Sequence, residues 1–149
     1  MPVDPSVRLH SGAPRHWNTL IQRIGVWSGF MAMWSGIATS EQADRMVRTL
    51  SKMEKMYAIK KTGNPSCWLG PIWGISNYMT FEGLVKYGYV KEAKELAVKT
   101  IKLFGADLEK IGQFHEYYDP ESGEGVNNPG FQNWNLLVVN MIEWLEAQP

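Results

Sequence analysis

Apolar and polar positions along most of this chain recur at helical spacing. From Thr39 onward, Ala43, Met46, Val47, Leu50 and Met53 return every three or four residues while Arg45, Arg48 and Lys52 point away, which predicts an amphipathic helix. Thr39 followed three residues later by Gln42 makes a capping box, in which each side chain satisfies the other residue's free backbone N–H, so the helix is expected to start there. Val26 to Ala38 is apolar nearly all round and predicts a buried helix; a shorter one is expected from Arg15 to about Ile24. Ile72 to Tyr87 carries few charges, and Gly88 reverses the chain into Val90 to about Lys110, where Val90, Ala93, Leu96, Ala97, Ile101 and Phe104 form a stripe. A last helix is expected from about Phe131 to Ala147.

The connections divide the chain. Residues 1–14, with three prolines, read as an extended arm, and 15–149 as a single helical domain. Tyr57 to Pro71 is a loop containing Cys67 and Trp68, and Gly112 to Gly130 is a long loop with four glycines, two prolines and the consecutive Asn127 and Asn128. No strand-like alternation appears, so the fold class is all-α. Nearly uncharged helices paired with striped ones suit a two-layer toroid of antiparallel helical hairpins, in which an outer ring covers an inner one. An α-solenoid would use the same pattern, but no second copy recurs at a period near 34 residues.

Composition narrows the partners. Fifteen basic residues balance fifteen acidic ones among 149, which argues against nucleic acid. The lone Cys67 allows no internal disulfide, no secretory pattern opens the chain, and no apolar run approaches the roughly 20 residues that span a bilayer. A cytoplasmic protein without membrane contact, metal or cofactor is expected. Seven tryptophans, six tyrosines and five phenylalanines either fill a core or offer flat platforms to the apolar faces of sugar rings.

Four segments bear on that choice: Trp68-Leu-Gly-Pro-Ile-Trp73 with Asn77 and Tyr78; Gly83-Leu84 with Tyr87-Gly88-Tyr89; Phe114-His-Glu-Tyr-Tyr-Asp-Pro120 with Gly123; and Phe131-Gln-Asn-Trp134. In this order and spacing, residues 26 to 147 resemble the closing part of the (α/α)6 barrel of glucosidase-I-like and mannosylglycerate-hydrolase-like glycosidases, with trehalases as more distant relatives. Glycosidic cleavage needs two carboxyl groups flanking the bond, one protonated and one ionised. The resemblance implies that Glu116 is the general base of an inverting mechanism. By itself, Glu116 reads as a solvated loop acid like Glu121 and Glu124. Tyr117 and Tyr118 stand beside it and are placed to orient the carboxylate, with Tyr117 also counted among the substrate contacts. The resemblance further implies that Trp68, Trp73 and Trp134 line a sugar pocket; core packing is the alternative for each. Asn77 and Tyr78 either hydrogen-bond sugar hydroxyls or stitch neighbouring helices together. Asp119 and Pro120 read as turn chemistry, and His115 as a packed or hydrogen-bonded histidine.

A complete barrel needs twelve helices, and this chain supplies about half. The resemblance places the general acid in an earlier segment with no counterpart here; Asp4, Glu41 and Asp44 do not replace it. The expectation is a glycoside-hydrolase-like fragment, inactive or weakly active alone, that takes a small sugar or glycoside of the trehalose, mannosylglycerate or glucosylglycerate type. Exposed inner-ring helices predict a homodimer. A non-catalytic carbohydrate-binding module and a helical scaffold for protein partners are the alternatives.

Overall fold

The computed structural model describes residues 27–53, 71–120 and 122–149. The expected arm at 1–14, the helix from Arg15, and the loop residues Cys67 and Trp68 lie outside them. A 3-10 turn, Trp27–Phe30, leads into α1, Met31–Trp34. Then come α2, Ser40–Met53, α3, Gly74–Lys86, α4, Val90–Ile111, and, after a second 3-10 turn at Trp134–Leu137, α5, Val138–Glu146.

The capping box is formed as the spacing predicts. The Thr39 N–H donates to Gln42 Oε1 at 2.8 Å, and the Gln42 N–H donates to Thr39 Oγ1 at 3.2 Å. Gly88, at φ +80°, ends α3, with its N–H on the Val85 carbonyl at 3.0 Å and the Tyr89 N–H on that of Leu84 at 2.9 Å. Two helices are shorter than their apolar runs. α1 stops because Gly36 turns left-handed and Ser35 and Gly36 bond back to Met31 and Met33, which leaves Ile37 78% exposed. The last helical segment opens only at Trp134, as a 3-10 turn, with the Asn135 side-chain amide bonded to the carbonyls of Phe131 and His115.

α3 is the central element, packed against α1, α4 and α5. Its Phe81 and Leu84 meet Phe30, Met33, Ala43, Ala93, Ala97 and Met141 in one buried cluster, with Met46, Val47 and Leu50 of α2 covering it. Each large apolar side chain so buried stabilises the fold by about 1.5–3 kcal/mol. Gly83 sets the closeness of α1 and α3: a Cβ there would lie 2.9 Å from Met33 Cβ and 3.0 Å from the Trp34 nitrogen. Polar ties add direction, with Tyr87 OH donating to the Ala38 carbonyl at 2.6 Å and Tyr89 OH donating to Asp44. A second cluster, Phe104, Phe114, Tyr118 and Val138, seats the long loop on α4 and α5.

That loop contains a small hairpin. β1, Tyr117–Tyr118, pairs antiparallel with β2, Gly125–Val126, so that Tyr117 faces Val126 and Tyr118 faces Gly125. Ile72, just before α3, bridges the other edge of Tyr118 through two hydrogen bonds of 2.9 and 3.0 Å. Strands of two residues are too short to show a period-2 pattern, so no alternation marks them in the sequence.

Candidate functional site

The loop between α4 and α5 is aimed by a buried carboxylate. Gly112, at φ +73°, ends α4, and the chain turns back on it. Asp107, 6% exposed on α4, accepts the His115 N–H at 2.9 Å, His115 Nδ1 at 2.9 Å and the Tyr118 hydroxyl at 3.0 Å, all on Oδ2. Burial pushes its pKa up, but the side-chain and backbone donors of His115 and the Tyr118 hydroxyl outweigh burial and hold it below the usual carboxylate range. Burial and the neighbouring Asp107 drive the Tyr118 hydroxyl well above the ordinary tyrosine range. A carboxylate only accepts, so His115 Nδ1 carries the proton. The His115 ring lies against Gly125, where a Cβ would come within 2.0 Å of Nδ1. His115 is thus a packed, bonded histidine, and its neighbours Phe114 and Tyr118 are core residues.

Between these two anchors stands Glu116. It is half-buried, and its N–H donates to the Asn127 carbonyl at 3.2 Å, which extends the hairpin by one pair. Its Oε2 accepts the Asn127 side-chain amide at 2.8 Å and that of Asn128 at 2.6 Å. Both asparagines have positive φ, 61° and 34°. Among the described residues no donor reaches Oε1.

Tyr117 turns its ring into an aromatic group, 4.8 Å from Trp73 between centroids. Trp73 lies 5.8 Å from Trp134, and Trp134 lies 4.8 Å from Phe131. Trp73 is only 6% exposed. The indole N–H groups of Trp73 and Trp134, and Oδ1 of the buried Asn135, find no hydrogen-bond partner among the described residues. Buried donors without acceptors are costly in a finished core.

The structure therefore brings together Trp73, Tyr117 and Trp134 beside the Glu116 segment. It does not bring Asn77 or Tyr78 there. The Asn77 amide donates to Thr100 Oγ1 at 3.0 Å, tying α3 to α4, and the Tyr78 hydroxyl accepts the Asn140 amide at 3.0 Å, tying α3 to α5. Burial, opposed by the Asn140 amide, raises the Tyr78 pKa. Trp68 lies outside the described residues. Asp119 does form the expected turn, accepting the Ser122 N–H at 3.0 Å on Oδ1 and the Gly123 N–H at 2.8 Å on its carbonyl. A cavity of about 500 Å³ lies between α2 and α4 and is lined by Val47, Leu50, Leu96 and Lys99 among others; of the candidate residues only Asn77 borders it. No group of three or more His, Cys, Asp or Glu side chains converges among the described residues, and none of their helices is long and apolar enough to cross a membrane. Sequence reasoning missed Asp107, Asn127, Asn128 and Asn135 as site-shaping residues; the doubled asparagine in a glycine-rich loop was the one available signal.

The mannosylglycerate hydrolase MGH1-like glycoside hydrolase domain matches residues 9–134 of this chain. Mannosylglycerate hydrolase MGH1 of Selaginella moellendorffii is 33% identical over 130 residues, covering 79% of this chain and 24% of that protein. Among solved structures, the GH63 mannosylglycerate hydrolase from Thermus thermophilus in complex with glucose superposes with a TM-score of 0.58 at 25% identity, over 80% of this chain and 31% of that one. Its complex with Tris and D-glycerate superposes with a TM-score of 0.61 at 25% identity, over 81% and 30%. The chain spans about a quarter of the length of the curated relative and under a third of the solved ones.

Proposed function

Because the chain belongs to the mannosylglycerate hydrolase MGH1-like glycoside hydrolase family, and its helical hairpins are part of an (α/α)6 barrel, we propose that it carries the base-bearing half of an inverting α-glycosidase site. The observation that carries this reading is Glu116 itself. A half-buried carboxylate is held at one oxygen by two amides, while the adjacent Tyr117 joins a ring group with Trp73 and Trp134.

In an inverting reaction, such a carboxylate takes a proton from a water on one face of the sugar as a protonated acid releases the leaving oxygen on the other. Glu116 fills the first role. Trp134, half-buried, offers an apolar face to the ring, with the buried Trp73 and Tyr117 packed behind it. Small glycosides of the trehalose, mannosylglycerate or glucosylglycerate type are the substrate class. The second carboxyl has no candidate in this site among the described residues: Glu41 pairs with Arg45 and Asp44 bonds Tyr89, both on exposed α2. Acid catalysis commonly contributes about 10²- to 10⁴-fold, so the chain alone is inactive or weakly active.

Leu136 in the second 3-10 turn and Val139 and Ile142 on α5 are 50%, 45% and 37% exposed, and association of two copies in the cytoplasm covers them. A well-folded monomer by light scattering at high micromolar concentration would contradict that association. For the site, the test is hydrolysis of a panel of α-glycosides by the full chain alongside Glu116→Gln. Turnover lost in the variant supports the base, whereas turnover that survives removes Glu116 from the role. Saturation-transfer NMR with trehalose, mannosylglycerate and glucosylglycerate separates binding without turnover, which a site with no second carboxyl among the described residues favours, from no binding at all.

A further inference from the structure

We propose that Asn127 and Asn128 are a positioning pair for Glu116, whose two side-chain amides close off Oε2 and leave Oε1 as the oxygen that receives a proton from water. This rests on the reading of Glu116 as the base.

Three observations converge on it. The first is geometric: two consecutive side chains send their amides to one oxygen of one carboxylate, at 2.8 and 2.6 Å. Asparagines that serve only a turn bond their own backbone instead. The second concerns the backbone. Asn127 and Asn128 are the only non-glycine residues with positive φ among those described. The left-handed region costs an L-residue roughly 1–2 kcal/mol, least for asparagine, and such strain collects where a side chain must be aimed. The third is the setting. The limb carrying the pair is pinned to the limb carrying Glu116 on both sides, by the Glu116 N–H on the Asn127 carbonyl at 3.2 Å and by the N–H groups of Gly130 and Phe131 on the Phe114 carbonyl at 2.9 and 3.0 Å. The pair is solvent-exposed, so burial does not demand its bonds to Glu116. Neutral donors orient a carboxylate without cancelling its charge, which a lysine or arginine at these positions would do.

The pair acts through Glu116 and touches no substrate of its own. Its effect is to hold the carboxylate in one rotamer, and a misplacement of about 1 Å at a reacting group costs on the order of 100-fold in rate.

Glycine keeps the left-handed backbone and deletes the amide, so the test is the double variant Asn127→Gly with Asn128→Gly in the full chain. Three-bond couplings of the Glu116 side-chain methylenes are measured by NMR, with the amide spectrum confirming that the variant is folded. The wild type is expected to show couplings of a single rotamer and the double variant averaged ones. Unaveraged couplings in the variant overturn the proposal whether or not the chain turns over substrate. On any α-glycoside whose hydrolysis Glu116→Gln abolishes, the double glycine variant is expected to lower kcat about 10- to 100-fold with KM changed less than about twofold. An unchanged kcat overturns the proposal while the base reading stands. Turnover that survives Glu116→Gln overturns the base reading instead, and the couplings still decide whether the pair fixes the carboxylate.

Discussion

Removing the Asp107 carboxylate is expected to unlatch the Glu116 loop from α4. In the wild type, one nearly inaccessible oxygen accepts the His115 N–H, His115 Nδ1 and the Tyr118 hydroxyl, at 2.9 to 3.0 Å. Asp107→Ala leaves the fully buried Tyr118 hydroxyl and the His115 N–H without that acceptor. An orphaned buried donor costs about 1–3 kcal/mol, and water can reach the partly exposed His115, so the loss should come to about 3 kcal/mol. For a chain of this size that lowers Tm by roughly 6–12 °C. Urea unfolding followed by tryptophan fluorescence measures it, with Lys110→Ala as the control. The Lys110 pair with Glu124 spans 3.6 Å between exposed side chains and is worth less than about 1 kcal/mol. The pH dependence has a definite sign. Asp107 titrates below its unfolded value in the folded state, so its contribution is fully present above about pH 4 and is lost as pH falls through the depressed folded pKa. The gap between wild type and Asp107→Ala should therefore narrow in acid. An Asp107→Ala chain as stable at pH 7 as Lys110→Ala would refute the latch.

Gly83→Ala should destabilise by about 1–3 kcal/mol, because the new methyl meets Met33 Cβ at 2.9 Å and backbone at 3.0 Å; a thermal melt indistinguishable from wild type would show that α1 yields freely. Thr39→Ala removes one half of the capping box and should cost about 0.5–2 kcal/mol, read as faster amide exchange in the first turn of α2. Leu136→Lys with Val139→Lys should abolish self-association in light scattering while leaving far-UV circular dichroism unchanged; persistence of the dimer would place the contact elsewhere.

The helices were legible because their signals are local. Thr39 and Gln42 announce a start, Gly88 a reversal, and the α2 and α4 stripes turn inward at Ala43, Met46, Val47, Leu50, Ala93, Leu96, Ala97, Ile101 and Phe104, though Val90 is left 47% exposed. Of the aromatic residues singled out, Trp73, Tyr117 and Trp134 do meet, Phe131 joins them unannounced, and Trp68 lies outside the described residues. Asn77 and Tyr78 show where such reading stops: a side chain one turn into α3 can face either neighbour, and only the packed positions of Thr100 and Asn140 fix which. Asp107 looks like one more acid on a charged helix, and its part depends on a chain that leaves α4 and returns to it eight residues later. Asn127 and Asn128 read as turn residues, which they are, but where their amides go is decided by a strand register that two-residue strands do not announce.

The bridge between Ile72 and Tyr118 joins positions 46 apart in the chain. A contact of that span has a large closure entropy unless α3 and α4 have already paired and shortened the effective path. The hairpin that follows Glu116 should accordingly condense late, onto a helical pair formed first, and substitutions around it should hasten unfolding more than they retard folding. An evolving sequence can then revise this loop without disturbing the nucleus on which the rest of the chain assembles.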